Sequence, residues 1–240
     1  MVRALLSLVM VLLMAQTALA GSLTAAAGAG YKRMLEKVFS VYQEKTGRQV
    51  DQIYGHMGQV TMQAKAGGKI AVIVGEEGFL AASGLEFDSM IPVGRGVLVL
   101  AYPKGSSLQS AEDLTRPEIA RVAAPDGKQA IYGKAALQFL KNAGLFPKVE
   151  KKMLIVSTVP QVSSYLMSGE VDAGFINLTD AINIKDKIGG YIVVDQEKYD
   201  PLRLVVAVLK GWQHQPDCKD FLDFITNDPQ VKAILTASGL

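Results

Sequence analysis

Two short glycine-bearing turns are the segments of this 240-residue chain best suited to binding chemistry. They span residues 27–31 and 55–59, and each separates an apolar run from a helical pattern. Their N–H groups are therefore expected at helix starts, where free donors and the helix dipole favour an anion. Glycine lacks a Cβ, so a ligand can approach the main chain closely. A single such turn more often only reverses the chain, but with two at consecutive strand–helix junctions a binding site and a purely structural role are equally open.

The turns belong to a repeated alternation of apolar runs and helical patterns. In each of two units, three predicted strands alternate with two predicted helices, which is typical of a parallel sheet covered by helices. The sequence therefore predicts the α/β class, with the same unit built twice. The strands are predicted at 22–27, 49–54, 70–74, 122–124, 154–157 and 173–176, and the helices at 31–46, 57–66, 132–143 and 161–168.

Two further apolar strands, 96–102 and 202–209, are long enough to run from one sheet into another. We interpret them as paired crossovers that join two lobes, each a mostly parallel sheet flanked by helices. The helical tail that follows, 216–238, is expected to pack on the first lobe. Residues 21–98 with 206–240 are thus predicted to form lobe 1, and 99–205 to form lobe 2.

The N-terminal segment indicates export. Residues 1–20 combine Arg3, an apolar run and an Ala-Leu-Ala end, the pattern of a cleavable secretory signal peptide. The apolar run is shorter than the about 20 residues that span a membrane, and no cysteine near the cleavage site could take a lipid. We expect a soluble periplasmic protein. An uncleaved anchor is the alternative.

Charge and cysteine content exclude several functions. Without the leader, which contains Arg3, 24 basic and 23 acidic residues give a net charge of +1, so no field steers the chain toward nucleic acid or a membrane surface. Cys218 is the single cysteine, which excludes an internal disulfide. With His56 and His214 it makes too few ligands to predict a metal site. No Gly-x-Ser-x-Gly motif is present, so we expect no enzyme, although an enzyme on the same architecture stays the alternative.

The order of several motifs resembles that of the periplasmic molybdate-binding proteins of ABC transporters, which are type II solute-binding proteins. The resemblance spans nearly the whole mature chain. It implies a periplasmic-binding-protein fold, a tetrahedral oxyanion such as molybdate or tungstate in the interlobe cleft, no other cofactor, and delivery to a permease in the inner membrane. A monomer is expected. The motifs that carry the likeness are 22–47, 55–59, 130–137, 174–177, 180–181, 221–225 and 234–235.

The resemblance also implies ligand positions, and at three of them this chain lacks the family's hydroxyl. Two family serines fall on Gly30 and Met57, and a family tyrosine falls on Asn177. A helix-start contact falls near Gln129, and a backbone contact falls near Val162. Backbone donors can persist, and the amides of glutamine or asparagine can replace the hydroxyls as donors. The predicted ligand-binding residues are Ala29, Gly30, Tyr31, Met57, Gly58, Gln59, Gln129, Val162 and Asn177.

A site of this kind would hold a dianion by hydrogen bonds alone, since each charge-assisted bond contributes about 1.5–3 kcal/mol. The predicted turns contain no acidic residue that could accept a proton from hydrogen phosphate. Such a pocket prefers fully ionised anions such as molybdate, tungstate or sulfate. Two alternatives stay open, namely a positive charge from Lys128 or His56, and a different ligand, either a sulfate-like anion or a small organic solute.

Overall fold

The computed structural model describes residues 23–67 and 69–240, so the predicted signal peptide lies outside the described residues. Ten strands form two five-stranded sheets, with the orders β2-β1-β3-β10-β4 and β7-β6-β8-β5-β9. The strands are β1 Leu23–Gly28, β2 Val50–Gly55, β3 Ile70–Glu76, β4 Phe87–Gly96, β5 Leu98–Tyr102, β6 Val122–Pro125, β7 Met153–Val156, β8 Ala173–Asn177, β9 Gly190–Val193 and β10 Leu202–Leu209.

The structure contains the predicted helices and three short ones that the sequence pattern did not predict, at 77–81, 146–149 and 178–184. They are α1 Lys32–Thr46, α2 Met57–Lys65, α3 Glu77–Ala81, α4 Ile131–Asn142, α5 Phe146–Val149, α6 Val159–Ser168, α7 Leu178–Ile184, α8 Pro216–Asn227 and α9 Pro229–Ala237. A 3-10 turn, Ala29–Tyr31, precedes α1.

The first lobe shows why these residues fold as they do. α1 buries Met34, Leu35 and Val38 on one face, and it ends at Gly47, whose φ of 71° is the left-handed conformation that glycine adopts at helix ends. The C-terminal helices pack against this face, as predicted. Phe221 of α8, for example, lies 5.4 Å from Tyr42, ring centre to ring centre.

The predicted two-sheet α/β architecture is confirmed, but each sheet is mixed. The strand that opens each unit, β1 or β6, is parallel to both of its neighbours. The strands on the other side are antiparallel, β10 to β3 and β4, and β5 to β8 and β9. The helix starts that follow the parallel strands thus lie at the same edge of each sheet.

The interpretation of Leu202–Leu209 as a crossover is wrong. This strand pairs along its length with β3 and β4 inside the first sheet, and its residues 202–205, assigned above to lobe 2, pair there as well. Its near-continuous apolar run reflects a central position with both faces covered. The predicted crossover at 96–102 does join the lobes, at Val97 between β4 and β5. The second connection is formed by residues 194–201. The hydroxyl of Tyr199 accepts a hydrogen bond from Leu98 N at 3.0 Å and so ties the two connections together.

Candidate functional site

A small cavity lies where the two sheets face each other across the cleft. The centre of a water molecule can occupy a volume of about 20 Å³ inside it. Adding the radius of water gives a space roughly 3 Å in radius. One small compact ligand, of the size of a tetrahedral oxyanion, fills such a space. The lining residues are Gly28, Ala29, Gly30, Tyr31, Gly55, His56, Met57, Ala130, Ile131, Tyr132, Thr158 and Val159.

Four helix starts converge on this cavity. In lobe 1 these are the Ala29–Tyr31 turn that leads into α1 and the start of α2 at Met57. In lobe 2 they are the starts of α4 at Ile131 and of α6 at Val159. The first N–H groups of a helix have no intrahelical acceptor and carry the positive end of its dipole. The cavity is therefore surrounded by main-chain donors from both lobes.

The lining contains no lysine, arginine, aspartate or glutamate. His56 caps α2, and its Nδ1 accepts a hydrogen bond from Gln59 N at 3.1 Å. Lys128 lines a different cavity, next to Asp126 and Phe146. Lys128 therefore lies away from this cavity, whereas His56 is one of its lining residues.

A pair of tyrosines joins the lobes at the cavity. Tyr31 Oη and Tyr132 Oη are 2.6 Å apart and buried, and burial raises the pKa of both hydroxyls well above the ordinary range. Both side chains thus stay protonated. Since the pair shares one of its two protons, the second O–H remains free to donate to another group.

Asn177 is fully buried at the end of β8. Its Nδ2 donates to Gly30 O across the cleft at 3.1 Å, so one of the two N–H donors of this amide is used by the protein itself. Its Oδ1 is buried and has no hydrogen-bond partner among the described residues.

The rim of the cleft is held by charged and polar pairs. Arg33 of α1 forms an ion pair with the buried Asp180 of α7, and the Ser163 hydroxyl donates to the same carboxylate. Lys37 Nζ donates to Asn183 Oδ1 at 3.1 Å. The described lobes thus touch both at the cavity and at its edge.

The structure brings only some of the predicted site residues to the cavity. Ala29, Gly30, Tyr31 and Met57 line it. Gly58 and Gln129 lie beside it and bond to each other, Gly58 N donating to Gln129 O at 3.1 Å. The remaining predicted residues are placed elsewhere: Gln59 packs against Gly55, Val162 packs against Gly174, and Asn177 lies behind Gly30. Which of these residues contact a ligand stays a prediction.

The missed positions lie mainly in lobe 2. Val159 lines the cavity because α6 begins there, two residues before its predicted start. A capping box formed by Thr158 and Gln161, with Pro160 inside the first turn, marks this start and was available in the sequence. No comparable signal points to Tyr132, since its role depends on a contact with the other lobe.

Comparison with known proteins identifies the fold and the family. The family described as bacterial extracellular solute-binding protein matches residues 23–240. The chain belongs to this family. This chain is 25% identical over 240 residues to the molybdate-binding protein ModA of Rhodobacter capsulatus. The alignment covers 97% of this chain and 93% of that protein.

Solved structures have the same architecture. The periplasmic molybdate-binding protein of Azotobacter vinelandii aligns with a TM-score of 0.81 at 24% identity, covering 91% of this solute-binding protein and 98% of that chain. The sulfate-binding protein SubI of Mycobacterium tuberculosis aligns with a TM-score of 0.71 at 16% identity, covering 91% and 85%. The described part of this protein contains no helix long and apolar enough to cross a membrane.

Proposed function

We propose that this protein is the extracytoplasmic receptor of an ABC importer and that it binds a single tetrahedral oxyanion between its lobes. The observation that carries the proposal is the cavity itself. It has the size of one such anion, four helix starts surround it, and its lining contains no lysine, arginine, aspartate or glutamate. Converging N–H dipoles bind a negative charge without a cation.

The choice of anion is supported by relatives rather than by the lining. A relative in Rhodobacter capsulatus is named a molybdate-binding protein, so molybdate and tungstate are the first candidates, with a sulfate-like anion as the second. We propose no catalytic role, because the lining lacks a paired acid and base, and burial raises the pKa of the Cys218 thiol to about 11.

Closure of the lobes on the ligand is part of the proposal. The contacts of Tyr31 with Tyr132 and of Gly30 with Asn177 form only when the cleft is shut. A bound anion that receives hydrogen bonds from both lobes stabilises this state. The closed receptor is then delivered to a permease.

The test is calorimetric titration of the purified mature protein with molybdate, tungstate, sulfate and phosphate, with chloride as the control. We expect saturable binding of at least one oxyanion and compaction in small-angle scattering when it binds. Heatless titrations with all four would overturn the oxyanion assignment. Native mass spectrometry of protein purified without added anion would then reveal an organic ligand by its mass.

A further inference from the structure

The side chain of His56 brings an N–H group to the ligand cavity. His56 is one of the residues that line this cavity, and it is only half-buried, so it is not closed off from the ligand space. The other lobe 1 residues of the lining are glycines, an alanine, Met57 and Tyr31. His56 and Tyr31 are therefore the lining residues through which lobe 1 can offer a side-chain donor.

One ring nitrogen of His56 faces the start of α2. Nδ1 accepts a hydrogen bond from Gln59 N at 3.1 Å, and the same N–H group also donates to His56 O at 3.0 Å. Turning the ring over would place Cδ2, a carbon, against the Gln59 N–H group. The bond thus fixes which edge of the ring faces the helix, and while Nδ1 accepts it the ring proton lies on Nε2.

The second ring nitrogen, Nε2, is not used by the protein. It makes no hydrogen bond to any residue within 23–67 and 69–240. A helix cap needs a single acceptor, which serine, threonine, aspartate and asparagine supply with shorter side chains. Histidine at this position therefore leaves one donor over, on the edge of the ring away from Gln59 N. The cavity lining contains no aspartate or glutamate that would accept from this donor.

We propose that His56 Nε2 donates a hydrogen bond to the bound oxyanion while Nδ1 caps α2. His56 is then a ligand-binding residue of lobe 1, and it adds a side-chain donor to the main-chain N–H groups of the helix starts. This inference rests on the proposed function and deepens it, because an uncharged imidazole contributes to binding and no cation is needed. Lobe 1 then depends on one side chain in addition to its open backbone.

The variant His56→Asn separates the two roles of the residue. Asparagine is a favoured helix cap whose Oδ1 can accept from Gln59 N, but it has no group at the position of Nε2. We expect the thermal unfolding midpoint to stay near that of the wild type. Calorimetric titration with molybdate, tungstate, sulfate and phosphate should show, for each anion that the wild type binds, an affinity about tenfold lower or more, the effect of one hydrogen bond to a charged group.

The matched control is His214→Asn, the same substitution at an exposed histidine outside the cavity lining. Its affinity and unfolding midpoint should both equal those of the wild type.

Nitrogen-15 NMR of the imidazole rings gives a readout that helix capping alone would not move. In the ligand-free wild type we expect the proton of His56 on Nε2. Saturation with the anion that binds most tightly should shift the Nε2 signal of His56 more than its Nδ1 signal and leave the signals of His214 unchanged. The spectrum of His56→Asn assigns the signals.

Each outcome is decisive. A folded His56→Asn variant that loses less than the expected affinity overturns the inference and leaves the oxyanion receptor intact. A shift at Nε2 no larger than that at Nδ1 also overturns it. If His56→Asn does not fold, the spectra of the wild type and of His214→Asn decide alone. Absence of binding to all four anions by the wild type overturns the proposed function and this inference with it.

Discussion

The two lobes build their halves of the cavity by different means. Lobe 1 contributes turns with Gly28, Gly30 and Gly55, so its backbone is open to the ligand. Lobe 2 contributes no glycine to the lining and instead presents the side chains of Tyr132, Thr158 and others at its helix starts. The first half therefore depends on the absence of side chains, and the second depends on their contacts. Added side chains should therefore weaken binding in lobe 1, and lost side-chain contacts should weaken it in lobe 2.

The largest effect is expected where an added side chain would keep the lobes apart. In Gly30→Ala the new Cβ would lie 2.7 Å from Asn177 Oδ1, whereas in Gly28→Ala its nearest neighbours would be at 3.6 Å. Overpacking costs about 2 kcal/mol, so ligand affinity should fall roughly 30-fold in the Gly30 variant. The Gly28 variant should lose less affinity, because its Cβ makes only ordinary van der Waals contacts. Calorimetry on both variants measures the contrast, and equal losses would contradict the assigned role of Gly30.

The next effect concerns the side-chain contacts of lobe 2. Tyr132→Phe removes the hydrogen bond to Tyr31 and leaves that buried hydroxyl without its partner, at a cost of about 1–2 kcal/mol. We expect about tenfold weaker ligand binding. Tyr165→Phe, on the partly exposed face of α6, is the control. Unchanged affinity in the Tyr132 variant would show that the tyrosine pair does not support the closed state.

A smaller effect is expected at the rim. Arg33→Met removes the ion pair with Asp180, but the arginine side chain is 40% exposed, so solvent screens the interaction and its contribution is about 1 kcal/mol or less. Affinity should fall up to about fivefold, and high salt should reduce the difference from wild type. Lys32→Met is the control, because Lys32 pairs with Glu36 of the same helix. A loss that does not depend on salt would argue against an electrostatic contact.

The smallest effect is expected at Gly58. A Cβ there would collide only with the end of the exposed Gln129 side chain, which can move away, while the bond from Gly58 N to Gln129 O stays intact. Alanine also favours the helix by up to about 1 kcal/mol over glycine. Gly58→Ala should therefore raise the thermal unfolding midpoint slightly and change affinity less than about threefold. A large loss of affinity would show that this position contacts the ligand.

The difference between local sequence patterns and contacts between distant residues explains how much of the fold could be predicted from the sequence. Alternating apolar runs predict β1 to β3, β6 to β8 and the helices between them, because each element is specified by its own periodicity. β4 is missed because Pro92 and Gly94 interrupt it, as is common in an edge strand. The place of Leu202–Leu209 depends on which strands flank it, and local pattern does not encode that.

Within the site, the glycine turns of lobe 1 carry a local signal, and Ala29, Gly30, Tyr31 and Met57 follow from it. Tyr31 and Tyr132 are separated by 101 positions in the chain, and Asn177 and its partner Gly30 by 147. Such contacts depend on how the lobes are juxtaposed. No spacing rule predicts them.

The position of Gly96 links the cavity to the junction of the lobes. It ends β4, just before the connection at Val97, and a Cβ there would collide with the Tyr132 hydroxyl and lie 3.1 Å from that of Tyr31. The cavity therefore lies close to the connection about which the lobes would turn in the proposed closure. In the proposed closure, a small displacement near the anion would produce a large displacement at the outer surfaces of the lobes. Those outer surfaces are the parts of the protein that a membrane partner can contact.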